Sequence, residues 1–240
     1  MKKTVVITGG AGGIGSAVAR LFHKKNYNVL INFNHSADAA DLLVKELGEN
    51  ADFYKADVSE SSGADALIKY AYSHFGGIDV LINNAGISEQ KLFTDITDND
   101  WDKMIKTNLS SAFYCCRSVI PVMLIKKSGA IINISSVWGI VGASCEVHYS
   151  VTKAGLLGLT KSLAKELAPS GIRVNAIAPG IVDTKMMLSF DNEDRKNLES
   201  EIPLGRFGNP GEIADAILFL AENSYTTGQV LSPNGGFTIY

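Results

Sequence analysis

Short runs of β-branched and other apolar residues alternate with longer stretches whose apolar positions recur every three or four residues. The first pattern is that of a buried strand, the second that of an amphipathic helix. Strands are predicted at 4–8, 28–32, 51–56, 78–83, 130–135 and 172–177, with a short closing strand at 229–231. Helices are predicted at 14–24, 38–47, 64–75, over most of 101–126, and at 151–167. A last helix opens at Asn209-Pro210-Gly211, with Asn209 as its cap and Pro210 in the first helical position.

Such strict alternation means βαβ units, and βαβ units build a parallel sheet covered by helices on both faces. The fold class is therefore α/β, a doubly wound parallel sheet. No linker, charge block, repeat or low-complexity stretch divides the chain, so residues 1–240 are expected to form a single domain. One long irregular stretch, about 180–209, separates the sixth strand from the last helix. A loop of that length in a compact domain is expected to be a lid or binding loop.

Composition narrows the function. The 240 residues are 46% apolar, 20% charged and 8% aromatic, which excludes a disordered or fibrous chain. A net charge of −3 argues against a nucleic-acid or membrane-surface binder, either of which needs a basic face. No uninterrupted apolar run reaches the roughly 18 residues of a membrane span. Lys2 and Lys3 are followed by only Val5-Val6-Ile7 before Thr8-Gly9-Gly10, too short for the apolar core of a signal peptide. Cys115 and Cys116 are adjacent and Cys145 stands alone, neither a disulfide framework nor a zinc pattern. The expectation is a cytoplasmic protein with reduced thiols and no metal.

Between the first strand and first helix lies Thr8-Gly9-Gly10-Ala11-Gly12-Gly13-Ile14-Gly15, in which Gly10, Gly12 and Gly15 fit G-x-G-x-x-G. Glycines let the backbone turn tightly and approach a pyrophosphate, and the helix that follows presents unpaired N–H groups and its positive dipole end. In this strand–turn–helix context the motif points to a dinucleotide. An acid is expected about 20 residues on, to bind the adenosine ribose. The second strand instead ends Asn32-Phe33-Asn34-His35-Ser36. Asn34, His35 and Ser36 offer neutral donors and no carboxylate to repel a 2′-phosphate, which favours NADP over NAD.

Taken in order, Thr8-Gly9-x-x-x-Gly13-x-Gly15, Asn83-Asn84-Ala85-Gly86, Asn108, Ser136, Tyr149-x-x-x-Lys153 and Pro179-Gly180 resemble the short-chain dehydrogenase/reductase family along the whole chain. Within it, Ile132-Asn133-Ile134-Ser135-Ser136, Val174-Asn175-Ala176-Ile177-Ala178-Pro179-Gly180 and Leu204-Gly205-Arg206-Phe207-Gly208-Asn209-Pro210 look most like the bacterial 3-oxoacyl-(acyl-carrier-protein) reductases. The resemblance implies a Rossmann fold with seven strands in the order 3-2-1-4-5-6-7. It also implies a homotetramer built through the helices after strands four and five and the C-terminal strand, with Ala112-Phe113 and Leu156-Leu157 as compatible apolar positions. Cofactor contacts are implied at Asp57 and Val58, at Asn84, Ala85 and Gly86, and at Val182 and Thr184 beyond Pro179-Gly180.

Carbonyl reduction needs a hydride donor and a proton donor at the oxygen. Tyr149 and Lys153 are four residues apart on a predicted helix and share one face. A free tyrosine titrates near ~10, so work near neutrality requires a fall of roughly 2–3 units, about 3–4 kcal/mol. One cation at ~4 Å in a medium of dielectric ~20 supplies about 4 kcal/mol, so Lys153 alone is expected to lower Tyr149 that far. The resemblance gives Tyr149 the proton transfer, Lys153 the nicotinamide ribose as well, and Asn108 a water relay from Lys153. Ser136, ending the fifth strand, can donate to the substrate oxygen where charge develops.

On the substrate side, Met186, Met187, Leu188 and Phe190 make an apolar stretch suited to covering an acyl chain. Trp138 and His148 flank the catalytic positions as pocket or packing residues, and His148 receives no catalytic role. Glu146, three before Tyr149, stands where the carrier-protein reductases often have a neutral residue; a carboxylate there can bind a hydroxyl or amine. Lys126-Lys127 is either part of a basic dock for acidic acyl carrier protein or a solvated helix end. The leading expectation is an NADPH-dependent 3-oxoacyl thioester reductase. A sugar, polyol or secondary-alcohol dehydrogenase and a non-catalytic NADP-binding redox sensor are the alternatives.

Overall fold

The computed structural model describes residues 2–184 and 191–239. Seven strands form one sheet: β1 (Thr4–Ile7), β2 (Asn28–Phe33), β3 (Ala51–Lys55), β4 (Val80–Asn83), β5 (Gly129–Ile134), β6 (Ile172–Ile177) and β7 (Val230–Leu231), in the order β3-β2-β1-β4-β5-β6-β7. All neighbouring pairs run parallel.

Successive residues of each strand point to opposite faces. Val5 and Ile7 therefore join one core with Val18 and Phe22 of α1 (Gly13–Lys24), Leu43 of α2 (Ala37–Leu47) and Ile217 of α9 (Pro210–Glu222). Val6 joins a second core with Leu67 of α3 (Ser61–Phe75), Val119 of α5 (Ser111–Lys126) and Ala164 of α7 (Val147–Leu167). Both faces being covered explains why these strands read as continuous apolar runs. Asn209 caps α9, as anticipated from Asn-Pro-Gly, and the Glu212 carboxylate accepts from the cap's backbone N–H to complete a reciprocal box.

The structure departs from the periodicity in three places. The long helical stretch is two helices, α4 (Asp98–Ile105) and α5, joined by a π-turn at Lys106–Ser110. Asp98–Lys126 is long and apolar enough, by length and composition alone, to cross a membrane, yet Cys115, Cys116, Val119 and Met123 lie in the core beneath the sheet. A short helix, α6 (Trp138–Val141), follows β5, and α7 begins before Tyr149. The stretch 180–209, read as irregular, contains α8 (Asn192–Ser200), capped by the Asp191 carboxylate. Its polar sequence carries no clear apolar stripe, which is why periodicity passes over it. Met186, Met187, Leu188 and Phe190 lie outside the described residues.

Candidate active site

Along the C-terminal ends of the strands runs a cleft of about 710 Å³. In open parallel sheets this is where ligands bind, at the point where the strand order reverses. Here that point lies between β1 and β4.

The glycine loop forms one end. Gly9, Gly12, Gly13 and Ile14 line the cleft. Gly9 and Gly13 have φ of 60° and 50°, where a side chain is strained. A Cβ on Gly15 would lie 2.6 Å from the Gly9 carbonyl oxygen, so this residue lets α1 close against the turn. Gly10 packs inward, on Ile7 and Ile31. At α1 no side chain caps the first turn and no acid occupies it, so its N–H groups and dipole are left for an anion.

Thr8 supports the loop from beneath. Its buried Oγ1 accepts from the backbone N–H groups of Asn84 and Ala85, each at 3.0 Å. The Asn84 amide in turn donates to the carbonyls of Thr8 and Gly9. Asn84 is thus a brace between β4 and the loop. Ala85 and Gly86 continue along the cleft. At the adenosine end, Asn34 and Ser36 line the cleft, whereas His35, Asp57 and Val58 do not. Asp57 accepts from Ser59 and interacts with Asn34 and His35, and these partners hold its carboxyl below the usual range. One carboxylate therefore lies next to the strand-two end, supplied by the loop after β3. Sequence spacing alone did not bring it there.

Pro179, Gly180, Val182 and Thr184 close the cleft from the other side. The Pro179 carbonyl accepts from Val137 N–H, and Val182 bridges to Gly208. The Thr184 methyl lies 3.4 Å from where a Gly13 Cβ would be. Leu198 of α8 also reaches the cleft, over a small apolar cluster with Ile202 and Phe207. It was missed because α8 itself was missed.

Ser136, Tyr149 and Lys153 converge at the centre of the cleft. A hydrogen bond links Ser136 to the Tyr149 phenol. Lys153 is 5% exposed; its Nζ donates to the Ile134 carbonyl at 2.8 Å and lies 5.5 Å from the Tyr149 ring centroid. The electrostatics correct the expectation for Tyr149. Burial pushes its phenol up to about 12, aided by the charge of Glu146 and opposed by the Ser136 bond. Lys153 is not among the causes, because its ammonium is turned to Ile134 and is itself pushed down to about 8 by burial. A cation lowers a phenol only where it stays charged and close.

Asn108 sits in the π-turn, fully buried. Its side chain exchanges two 2.8 Å hydrogen bonds with the backbone of Ile87 and donates to Thr152 Oγ1 at 3.3 Å. A Cβ on Gly86 would lie 3.2 Å from Asn108 Oδ1 and 3.5 Å from Lys153 Nζ. The last residue of the Asn83-Asn84-Ala85-Gly86 motif thus keeps the gap between these two side chains open.

Beyond Tyr149 the wall turns polar. Ser88, Glu89 and Gln90, unremarked in the sequence, line the cleft with Glu146 and Trp138. Their only signal was their position directly after the Asn-Asn-Ala-Gly segment. His148 is fully buried, with neither ring nitrogen hydrogen-bonded among the described residues. Trp138 packs edge-on against Phe237. Away from the cleft, Lys126 is paired with Asp79, which weakens a basic dock there. Ala112 and Leu156 are buried in the chain's own core, Leu157 is half-buried and Phe113 is exposed.

Comparison with known proteins follows the same lines. A family model described as enoyl-(acyl carrier protein) reductase matches residues 9–238. The chain is 44% identical to the uncharacterized oxidoreductase YmfI of Bacillus subtilis over 243 residues, covering 99% of each. It is 41% identical to the 3-oxoacyl-[acyl-carrier-protein] reductase FabG of Staphylococcus aureus over 241 residues, covering 98% of each. Among solved structures, "ElxO with NADP Bound" superposes with a TM-score of 0.93 at 37% identity, covering 99% of both chains.

Proposed function

The chain belongs to the short-chain dehydrogenase/reductase family, and from that premise we propose that it is an NADPH-dependent reductase of the 3-keto group of an acyl thioester, giving a 3-hydroxyacyl product. The observation that carries this reading is the convergence of Ser136, Tyr149 and Lys153 on one cleft with the uncapped N-terminus of α1. The 41% identity to a 3-oxoacyl reductase over nearly the whole chain supports the thioester.

The residues fit a dinucleotide. Gly12 has no atom within 4 Å of where its Cβ would be, so a pyrophosphate can approach the backbone. Thr8, Gly9, Gly10, Gly12, Gly13, Ile14 and Gly15 would build the phosphate end. Asn34, His35, Ser36, Asp57 and Val58 would surround the adenosine end. Asn84, Ala85, Gly86, Pro179, Gly180, Val182 and Thr184 would flank the nicotinamide half, with Tyr149 and Lys153. The NADP-bound neighbour and the lack of an acid at Asn34 support NADPH over NADH. When bound, the cofactor supplies the hydride.

The chain's own groups then manage the proton. A phenol raised to about 12 is protonated at neutral pH, as a donor must be, and efficient donation there requires that value to fall toward the working pH once cofactor and substrate fill the cleft. Ser136 orients that oxygen and offers a second donor to the substrate carbonyl. Lys153 and Asn108, which flank the gap at Gly86, would return a proton to Tyr149 through water. On this reading the chain works as one nucleotide-binding unit in the cytoplasm. Residues 180–209 serve as its substrate flap and Phe113 belongs to a homotetramer interface. An acyl carrier protein is the substrate's bearer.

A second reading, a sugar, polyol or secondary-alcohol dehydrogenase, is favoured by Glu146 in the cleft wall. A non-catalytic redox sensor has no need of Ser136, Tyr149 and Lys153 together. The test is NADPH oxidation with acetoacetyl-CoA, run beside NADH. Fast turnover with NADPH only, lost in Tyr149→Phe, is expected. Turnover of polyols with NADP⁺ but none of the thioester would replace the substrate, and unchanged activity in Tyr149→Phe would overturn the chemistry.

A further inference from the structure

Glu146 closes the substrate end of the cleft, one helical turn before Tyr149. It is 9% exposed, yet the only hydrogen-bond partners of its carboxylate among the described residues are neutral and distant: Ser88 Oγ and Gln90 Nε2, both at 3.4 Å. No ion pair among the described residues involves it. A carboxylate has about four acceptor positions. Here two are weakly used, the residue is almost out of water, and Glu146 lines the cleft together with Tyr149 and Ser136. Burying an unpaired carboxylate is costly unless something completes its bonds.

The surroundings carry the same imbalance. Glu89 also lines the cleft, and its Oε2 lies 3.8 Å from Nε2 of the fully buried His148. Both ring nitrogens of His148 lack hydrogen bonds among the described residues. This corner therefore holds more buried polar capacity than the protein satisfies. An apolar acyl chain, which offers no donor, would leave it so.

We propose that Glu146, supported by Ser88 and Gln90, is a specificity-determining acceptor for a hydroxyl or ammonium group next to the carbonyl that is reduced. The preferred substrate is then a polar ketone, whether or not it is a thioester. A carboxylate strengthens the bond from any donor, and most of all from an ammonium, whose charge it also balances. The inference rests on the reading of Tyr149 as proton donor, and not on the thioester.

The test uses three ketones that differ in one group: butanone, 1-hydroxy-2-propanone and 1-amino-2-propanone. The kcat/KM for each is measured with NADPH on the wild-type chain and on Glu146→Gln, which keeps the side-chain shape; NADPH affinity verifies that the variant is folded. The ratio of each polar ketone to butanone removes effects common to all substrates, and comparing that ratio between the two proteins removes intrinsic reactivity. In Glu146→Gln the ammonium-to-ethyl ratio is expected to fall about tenfold or more, and the hydroxyl ratio less, since glutamine still accepts a hydrogen bond. Equal ratios in the two proteins overturn the proposal. So does a lack of turnover of all three ketones by an enzyme that reduces acetoacetyl-CoA. Turnover persisting in Tyr149→Phe would overturn the functional reading instead.

Discussion

Replacing Lys153 with methionine should make the protein more stable at neutral pH while removing its activity. The ammonium is 5% exposed and is pushed from 10.5 down to about 8. That difference is worth about 3 kcal/mol at roughly 1.4 kcal/mol per unit. Below pH 8 the group is charged in both folded and unfolded chains, and the folded state bears the whole cost of burying it. Between 8 and 10.5 the folded state releases the proton while the unfolded chain keeps it, so wild-type stability climbs with pH. Above 10.5 both are neutral and the cost is gone. Methionine never bears this cost, but it forfeits the bond to the Ile134 carbonyl, about 1 kcal/mol. The variant should therefore be about 2 kcal/mol more stable at pH 7, and the difference should shrink and change sign by about pH 11. Tyr149 drops out of the comparison, since its phenol is held near 12 by burial and Glu146, not by Lys153. The assay is urea unfolding of both proteins from pH 6 to 11 at one protein concentration. A difference that stays flat across pH, or a variant less stable at pH 7, would refute the argument.

Two further outcomes follow from the loop geometry. Thr8→Val keeps the shape but orphans the Asn84 and Ala85 N–H groups, so unfolding should become easier by about 2 kcal/mol or more, with weaker NADPH binding in a fluorescence titration. Asn34→Asp adds a carboxylate at the end of β2, beside Asp57, and should lower the NADPH-to-NADH ratio of kcat/KM by about tenfold; an unchanged ratio would place the 2′-phosphate elsewhere.

What could be read from the sequence was whatever repeats or sits in a fixed spacing. The parallel sheet and the shared helix face of Tyr149 and Lys153 follow from βαβ alternation and the helical repeat, whereas the strand order came from the family resemblance. Three kinds of feature escaped. The helix α8 is polar apart from Leu198, so it leaves no period to find. The π-turn that buries Asn108 interrupts a helix without a proline or glycine to announce it. Finally, the protonation of Tyr149 depends on where the Lys153 ammonium points and on a neighbouring charge. A four-residue spacing specifies a shared helix face but says nothing of burial, and burial decided the sign.

The extended segment after β4 is tied down at nearly every second residue. Asn84 holds the glycine loop, Gly86 keeps the gap between Asn108 and Lys153, Ile87 pairs with Asn108, and Ser88 and Gln90 meet Glu146. Surface loops ordinarily absorb inserted or deleted residues at little cost. This one has no such freedom, because one residue more or less would shift each downstream anchor by about 3.3 Å. New substrate preferences on this scaffold are therefore open to side-chain exchange at positions 88–90 and 146, whereas a change of chain length in this segment would displace several groups of the cleft wall at once.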